Sequence, residues 1–98
     1  MATGDDPLLE ARTPLAFSVR VTRRRWQLII AEKHPTMAGR ELEVRAALEM
    51  PDEVRQSQTD SSVFLFCKLQ RRGRWVCAGS KQEGSGGFLI TTYPTDAI

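Results

Sequence analysis

Val63-Phe64-Leu65-Phe66-Cys67-Lys68-Leu69-Gln70-Arg71-Arg72-Gly73-Arg74-Trp75-Val76-Cys77-Ala78-Gly79 is the stretch on which the fold turns. Its two arms are rich in β-branched and aromatic residues, which suit a pleated, half-buried surface. Arg71-Arg72-Gly73 reads as a three-residue hairpin loop, with Gly73 in the left-handed position that glycine adopts at no steric cost. Residues equidistant from such a loop pair across it, so Cys67 is expected to face Cys77. In a cytosolic protein the pair reads as buried, reduced thiols rather than as a disulfide.

More strands flank this hairpin. Glu53-Val54-Arg55-Gln56-Ser57 is a modest strand, closed by the polar turn Thr59-Asp60-Ser61. Lys81 to Gly87 is a Gly-rich turn. It lacks the following helix and the Gly-Lys-Ser/Thr ending of a phosphate loop, so no nucleotide role is assigned to it. Phe88 to Tyr93 is the last strand, and Pro94 is expected to end it.

The amino-terminal half is helical after one strand. In Ala16 to Thr22, Phe17, Val19 and Val21 alternate with Ser18, Arg20 and Thr22, as in a half-buried strand. Thr22 can cap a helix with its hydroxyl. Trp26, Ile29, Ile30 and Lys33 then recur at helical spacing, which predicts an amphipathic helix over 23–33. Trp26 and Trp75 both read as core. Pro35 biases His34 towards extended backbone, so the only histidine sits where the first helix stops. A second helix is predicted over about 39–49, with Val44, Ala47 and Leu48 as its buried stripe. Glu41 and Arg45 stand in the favourable order for a surface ion pair, and Pro51 ends the helix. Residues 1–14 contain Gly4, Pro7, Pro14 and several acids and read as a flexible arm. Residues 15–98 form one domain. The element order predicts an α+β fold: a short N-terminal strand and two helices packed on a four-stranded antiparallel sheet.

Composition narrows the functional classes. The chain has 98 residues, 41% hydrophobic and 27% charged, as in an ordinary globular domain. No apolar run approaches the roughly 18 residues that span a bilayer, so no membrane association is expected. Met1 to Arg12 is acidic and has no basic start followed by an apolar stretch, so it does not read as a secretory signal. The expected location is the cytoplasm. Two cysteines and one histidine are too few for a disulfide framework or a typical zinc site, so no metal or cofactor is expected. Net charge is only +2, but Arg20, Arg23, Arg24 and Arg25 cluster, as do Lys68, Arg71, Arg72 and Arg74. Either a polyanion or plain solvent accounts for such clusters. Arg23, Arg24 and Arg25 fall in a first helical turn, where each cation opposes the dipole by about 0.3–1 kcal/mol. Either the surface absorbs this or an anion lies nearby.

Proton transfer on an anionic substrate is the chemistry these residues can support. It needs a group titrating near neutrality, cations for developing negative charge, and hydroxyl donors. His34 supplies the first. Arg45, Arg55, Lys68 and Lys81 supply cations, and Thr91, Thr92 and Tyr93 supply hydroxyls. RNA hydrolysis through the 2′-hydroxyl asks for this set. Each residue also has a plainer reading: His34 as a solvated helix end, Lys81 as a turn residue, Arg55 as a strand-edge charge, Thr92 and Tyr93 as strand formers.

Several motifs follow one another in a familiar order. A strand ends Val-Arg-Val-Thr, and the next helix carries Arg-Trp near its start. Glu-Lys-His-Pro and Met-Ala-Gly-Arg-Glu precede the second helix. Pro-Asp-Glu-Val-Arg, Phe-Leu-Phe, Gly-Arg-Trp-Val-Cys and Gly-Phe-Leu-Ile-Thr-Thr-Tyr-Pro-Thr-Asp follow. From Phe17 to Ile98 the chain resembles a family of small bacterial proteins, the phage-type barnase–EndoU–colicin–RelE-like nucleases. The resemblance implies a metal-independent, toxin-like endoribonuclease site across the sheet. It points to His34, to Lys81 or Lys68, and to Thr92 and Tyr93 as site residues, with Arg55 secondary. Some relatives have a histidine where Leu28 stands here; if that residue carries their catalysis, part of the machinery is lost here and the activity is weak, altered or absent. RNA and a cognate antitoxin or immunity protein are the implied partners, and the chain is a monomer or a homodimer. The alternative is a non-catalytic RNA- or protein-binding module of the same fold.

Overall fold

The computed structural model of the protein describes residues 6–98. Its elements in chain order are β1 (Pro7–Arg12), β2 (Ser18–Thr22), α1 (Arg23–Glu32), a single 3-10 turn (Pro35–Met37), α2 (Glu41–Glu49), β3 (Glu53–Gln56), β4 (Val63–Arg71), β5 (Arg74–Glu83) and β6 (Gly86–Thr95). The fold is α+β with two helices, as expected, but the four-stranded antiparallel sheet is not what forms. All strands join one six-stranded mixed sheet in the order β1-β2-β6-β5-β4-β3. The parallel pair is β2 with β6, through Ser18–Gly86, Val19–Gly87 and Arg20–Phe88.

Part of the expected flexible arm is the outermost strand of this sheet. Leu9 and Ala11 of β1 pair with Val21 and Val19 and are buried. Thr13 closes the turn back to β2: its amide and its hydroxyl both donate to the Phe17 carbonyl, at 2.9 and 3.0 Å. Leu9, Ala11 and Thr13 alternate in the sequence, but Pro7 and Pro14 mask the pattern. Proline is tolerated at the start of an edge strand, where its missing N–H costs no ladder bond. Residues 1–5 of the expected arm lie outside the described residues.

The central hairpin pairs as predicted, with Cys67 opposite Cys77 and Val63 opposite Lys81. Its tip differs: Arg71 pairs with Arg74, the register shifts after Leu69, and Gly73 has φ 73°. The loop is thus shorter than three residues, and the extra residue sits in a bulge. β6 runs to Thr95, so Pro94 does not end it. Beyond Phe88 this strand has a strand neighbour on one side only, and a proline is compatible with the open side.

Both helices lie on one face of the sheet. Thr22 caps α1 by accepting from the Arg25 amide at 3.1 Å. Trp26 and Ile29 of α1 and Val44, Ala47 and Leu48 of α2 share one core cluster with Val19, Val21, Phe66, Val76, Ala78 and Leu89. The expected Glu41–Arg45 pair does not form. Arg45 bonds Glu49 one turn onward at 3.3 Å, and Arg40 holds Glu43 with two hydrogen bonds. Among the described residues no helix is long and apolar enough to cross a membrane.

Gly87 shows how closely β6 packs against β5. A Cβ on Gly87 would run into the Lys81 carbonyl, so only glycine fits there. Removing residues 1–12 uncovers Val19, Val21 and the whole β2 edge. That truncation is expected to lower unfolding free energy by about 3 kcal/mol or more. Urea denaturation followed by far-ultraviolet circular dichroism measures it, and an unchanged midpoint would show that β1 contributes nothing.

Candidate functional site

The second face of the sheet carries no helix, and strand pairing arranges its side chains in transverse rows, because directly paired residues share a face. One row is Glu53, Cys67, Cys77 and Tyr93. The next is Arg55, Leu65, Gly79 and Thr91. A third is Val63, Lys81, Phe88, Arg20 and Glu10. Trp75 belongs to this face, opposite Leu69 and Thr95, and is half-exposed rather than core; Trp26 is buried as expected.

His34 reaches this face from the side. Its amide donates to the Ile29 carbonyl at 2.8 Å as α1 ends. Pro35 has no N–H to carry the helix on, and the chain turns through Pro35–Met37. Met37 is fully buried and anchors that turn. The imidazole then lies against the Tyr93 ring, with centroids 5.6 Å apart and planes tilted by 37°. This separation is within the range of favourable aromatic pairs. His34 is half-buried, so one side of the ring remains accessible.

The Tyr93 hydroxyl stands beside two thiols. Cys67 and Cys77 are both free and fully buried, and the Cys77 thiol donates to the Cys67 sulfur at 2.8 Å. Burial raises both thiols, and burial together with its neighbour Cys67 pushes Cys77 up to about 12. Burial also raises the Tyr93 hydroxyl, and the adjacent thiols add to the effect. Arg55 acts in the opposite direction on all three groups, which places its charge close to this cluster. At neutral pH Tyr93 is therefore a neutral O–H donor, and the two thiols are held in their protonated form.

The other expected site residues separate. Thr92 is fully buried on the helix side, and its hydroxyl donates to the Cys77 carbonyl at 2.7 Å, so no substrate can reach it. Lys68 also lies on the helix side, opposite Val76, and pairs with Asp52 at 3.8 Å. Arg45 is on α2, tied to Glu49. Lys81 shares the open face with Tyr93 but stands four residues along β5 from Cys77, the partner of Tyr93. That is about 13 Å along the strand. Lys81 pairs with Asp60 at 3.4 Å; the Ser62 hydroxyl and amide, and then Lys81, hold Asp60 below the usual carboxylate range. Arg55 contacts Glu53 at 3.4 Å. Thr91 belongs to the open face by register, but its hydroxyl is buried and has no hydrogen-bond partner among the described residues. Leu28 is 44% exposed on α1, away from the Trp26 and Ile29 stripe.

Two clefts flank the open face. One, of about 620 Å3, gathers Arg12, Arg20, Arg25 and Phe88 beside the β5–β6 turn. The other, at the opposite end of the sheet, lies between Arg40 and the Arg71 and Arg74 hairpin tip. Arg12 was missed by sequence reasoning because it falls in the segment read as an arm; its alternation with Ala11 and Thr13 was the available signal. Comparison with protein-family models, with curated proteins and with solved structures finds no match to this chain.

The thiol environment sets a pH dependence. A thiol raised by burial contributes stability that is complete below its unfolded value, about 8.5, and is lost as pH rises through its folded value. For Cys77 that window reaches about 12. Urea midpoints are expected to be flat between roughly pH 6 and 8 and to fall above about pH 9. A Cys67→Ala/Cys77→Ala variant should show a shallower alkaline fall; an identical fall would locate the titrating groups elsewhere. Thr92→Val is expected to lower stability by about 1 kcal/mol through the lost bond to Cys77.

Proposed function

We propose that this protein is a metal-independent, toxin-like RNA-cleaving domain that acts in the cytoplasm and belongs with the phage-type barnase–EndoU–colicin–RelE-like nucleases. The observation that carries the reading is the His34 ring set against Tyr93 on an open sheet face that also holds Arg55. An imidazole and a phenol that stays protonated at neutral pH form a proton acceptor and a proton donor in contact. His34 takes the proton of a 2′-hydroxyl, and that oxygen bonds to the adjacent phosphorus. The bond from phosphorus to the 5′-oxygen breaks, Tyr93 hydrogen-bonds the departing or non-bridging oxygen, and a 2′,3′-cyclic phosphate remains. His34, now protonated, returns its proton to the leaving oxygen. Arg55 faces the negative charge that grows on the phosphate. Lys81 serves the strand of substrate rather than the reacting phosphate, given its distance along β5. An antitoxin or immunity protein is the partner this role calls for.

A non-catalytic RNA- or protein-binding module is the second reading. It is favoured by Leu28 in place of a histidine and by the carboxylate partners of Arg55 and Lys81, Glu53 and Asp60.

The test is cleavage of bulk RNA in EDTA. His34→Ala is expected to lower the rate by about 10²–10⁴-fold, the usual contribution of a proton-transfer group. Tyr93→Phe should lower it less and leave stability nearly unchanged. Unchanged cleavage by His34→Ala would remove His34 from the mechanism. Steeply salt-dependent RNA binding with no cleavage by the native protein would select the second reading.

A further inference from the structure

Three arginines that the reaction scheme leaves unused converge on one cleft. Arg12 comes from β1, Arg20 from β2 and Arg25 from the first turn of α1. Ser85, Gly86 and Gly87 bring the β5–β6 turn up to them, with Phe88 beside it. Glu10 and Glu83 are also in the lining, so cations outnumber carboxylates by three to two. Glu10 approaches Arg20 only loosely, at 3.8 Å, with both side chains exposed. Arg12 and Arg25 make no ion pair among the described residues.

Arg25 is held over the Phe88 ring, 5.6 Å from its centroid. Stacking occupies the face of a guanidinium and leaves its N–H edge free for phosphate oxygens. The same cation stands at a helix start, where the dipole disfavours it; a bound anion relieves that repulsion. Phe88 and Arg20 lie in one row with Lys81 on the open face, and the row of Cys77 and Tyr93 follows four β5 residues, about 13 Å, further along the sheet. The cleft therefore opens onto the surface that carries His34. Phe88, Tyr93 and Trp75 all belong to that surface, and a positive groove interleaved with rings is how proteins track single strands. A duplex keeps its bases stacked internally and cannot use the rings.

We infer that this cleft grips the phosphate backbone of single-stranded RNA to one side of the bond presented to His34 and Tyr93. The inference rests on the RNA-cleaving reading above.

The test uses the full chain and a labelled single-stranded oligodeoxynucleotide of about 12 residues, within the usual span of single-strand sites. Without 2′-hydroxyls this probe reports binding and not cleavage. Arg12→Gln/Arg20→Gln/Arg25→Gln is expected to weaken binding about tenfold or more and to flatten the log affinity–log salt slope by about 2, at roughly 0.7 per phosphate contact. Arg71→Gln/Arg72→Gln/Arg74→Gln removes equal charge at the opposite end of the sheet and is expected to cost less than about threefold. Arg12→Gln alone alters an exposed side chain that makes no ion pair among the described residues. It should carry about a third of the slope change and serves if the triple variant does not fold. Equal losses in the two triple variants would overturn the assignment. So would no binding by the native protein, or a preference for poly-glutamate over the oligonucleotide, which would point to an acidic protein instead. If the cleft variants weaken binding but the native protein cuts no RNA, the cleft stands and the cleaving reading falls. If the cleft triple variant cuts RNA with unchanged KM, the cleaving reading stands and the cleft falls.

Discussion

The short parallel pairing of β2 with β6 is the constraint on which the rest of this structure depends. Three residue pairs, Ser18–Gly86, Val19–Gly87 and Arg20–Phe88, join the amino-terminal hairpin to the carboxy-terminal meander. Without them the chain would be two antiparallel pieces, each with one apolar face to bury. Gly87, in the middle of the junction, has no space for a side chain because a Cβ there would run into the Lys81 carbonyl of β5 on its other side. It also ends abruptly, because Thr22 starts α1 and carries the chain off the sheet. The far half of β6 is thereby left with an open edge.

That open edge is where the candidate site forms. The turn after α1 runs alongside β6, fixed by buried Met37, and sets His34 on Tyr93. The helices fill the other face of the sheet with apolar side chains, so the His34 face stays accessible. Tyr93 stands in one row with two facing thiols, both neutral because burial disfavours their charged forms. Burial and these thiols raise the phenol, so it keeps its proton. The site thus sets an imidazole against a phenol, and the cation that acts on that phenol is Arg55 rather than either lysine named from sequence.

Much of the fold is legible in residues alone, and the reasons are local. Phe17, Val19 and Val21 alternate and are buried; Val44, Ala47 and Leu48 recur at helical spacing and are buried. Gly73 marks a turn that sets Cys67 against Cys77. The site was less legible. His34 and Tyr93 were both named from sequence, but nothing in their spacing says that they meet. Thr92 carries the same β-propensity and hydroxyl chemistry as Thr91. Which of the two lies on the helix-free face depends on the bulge between Gly79 and Ser80, which changes the phase of β6. Lys68 and Arg55 look alike as strand cations, yet register puts them on opposite faces.

Short-range periodicity, turn chemistry and capping therefore determined by themselves the two helices, the central hairpin and its register, and the end of α1 at His34. These depend on interactions within a few residues, or across one tight turn, and the sequence carries them directly. Only the tertiary structure decided that β1 is a strand, that β2 lies parallel to β6, and that His34 and Arg12 belong to opposite ends of one open face. Parallel pairing joins segments more than sixty residues apart with no connecting turn to set the register. Its specification is spread over the buried valines of β2 and the whole core, and no single stretch contains it.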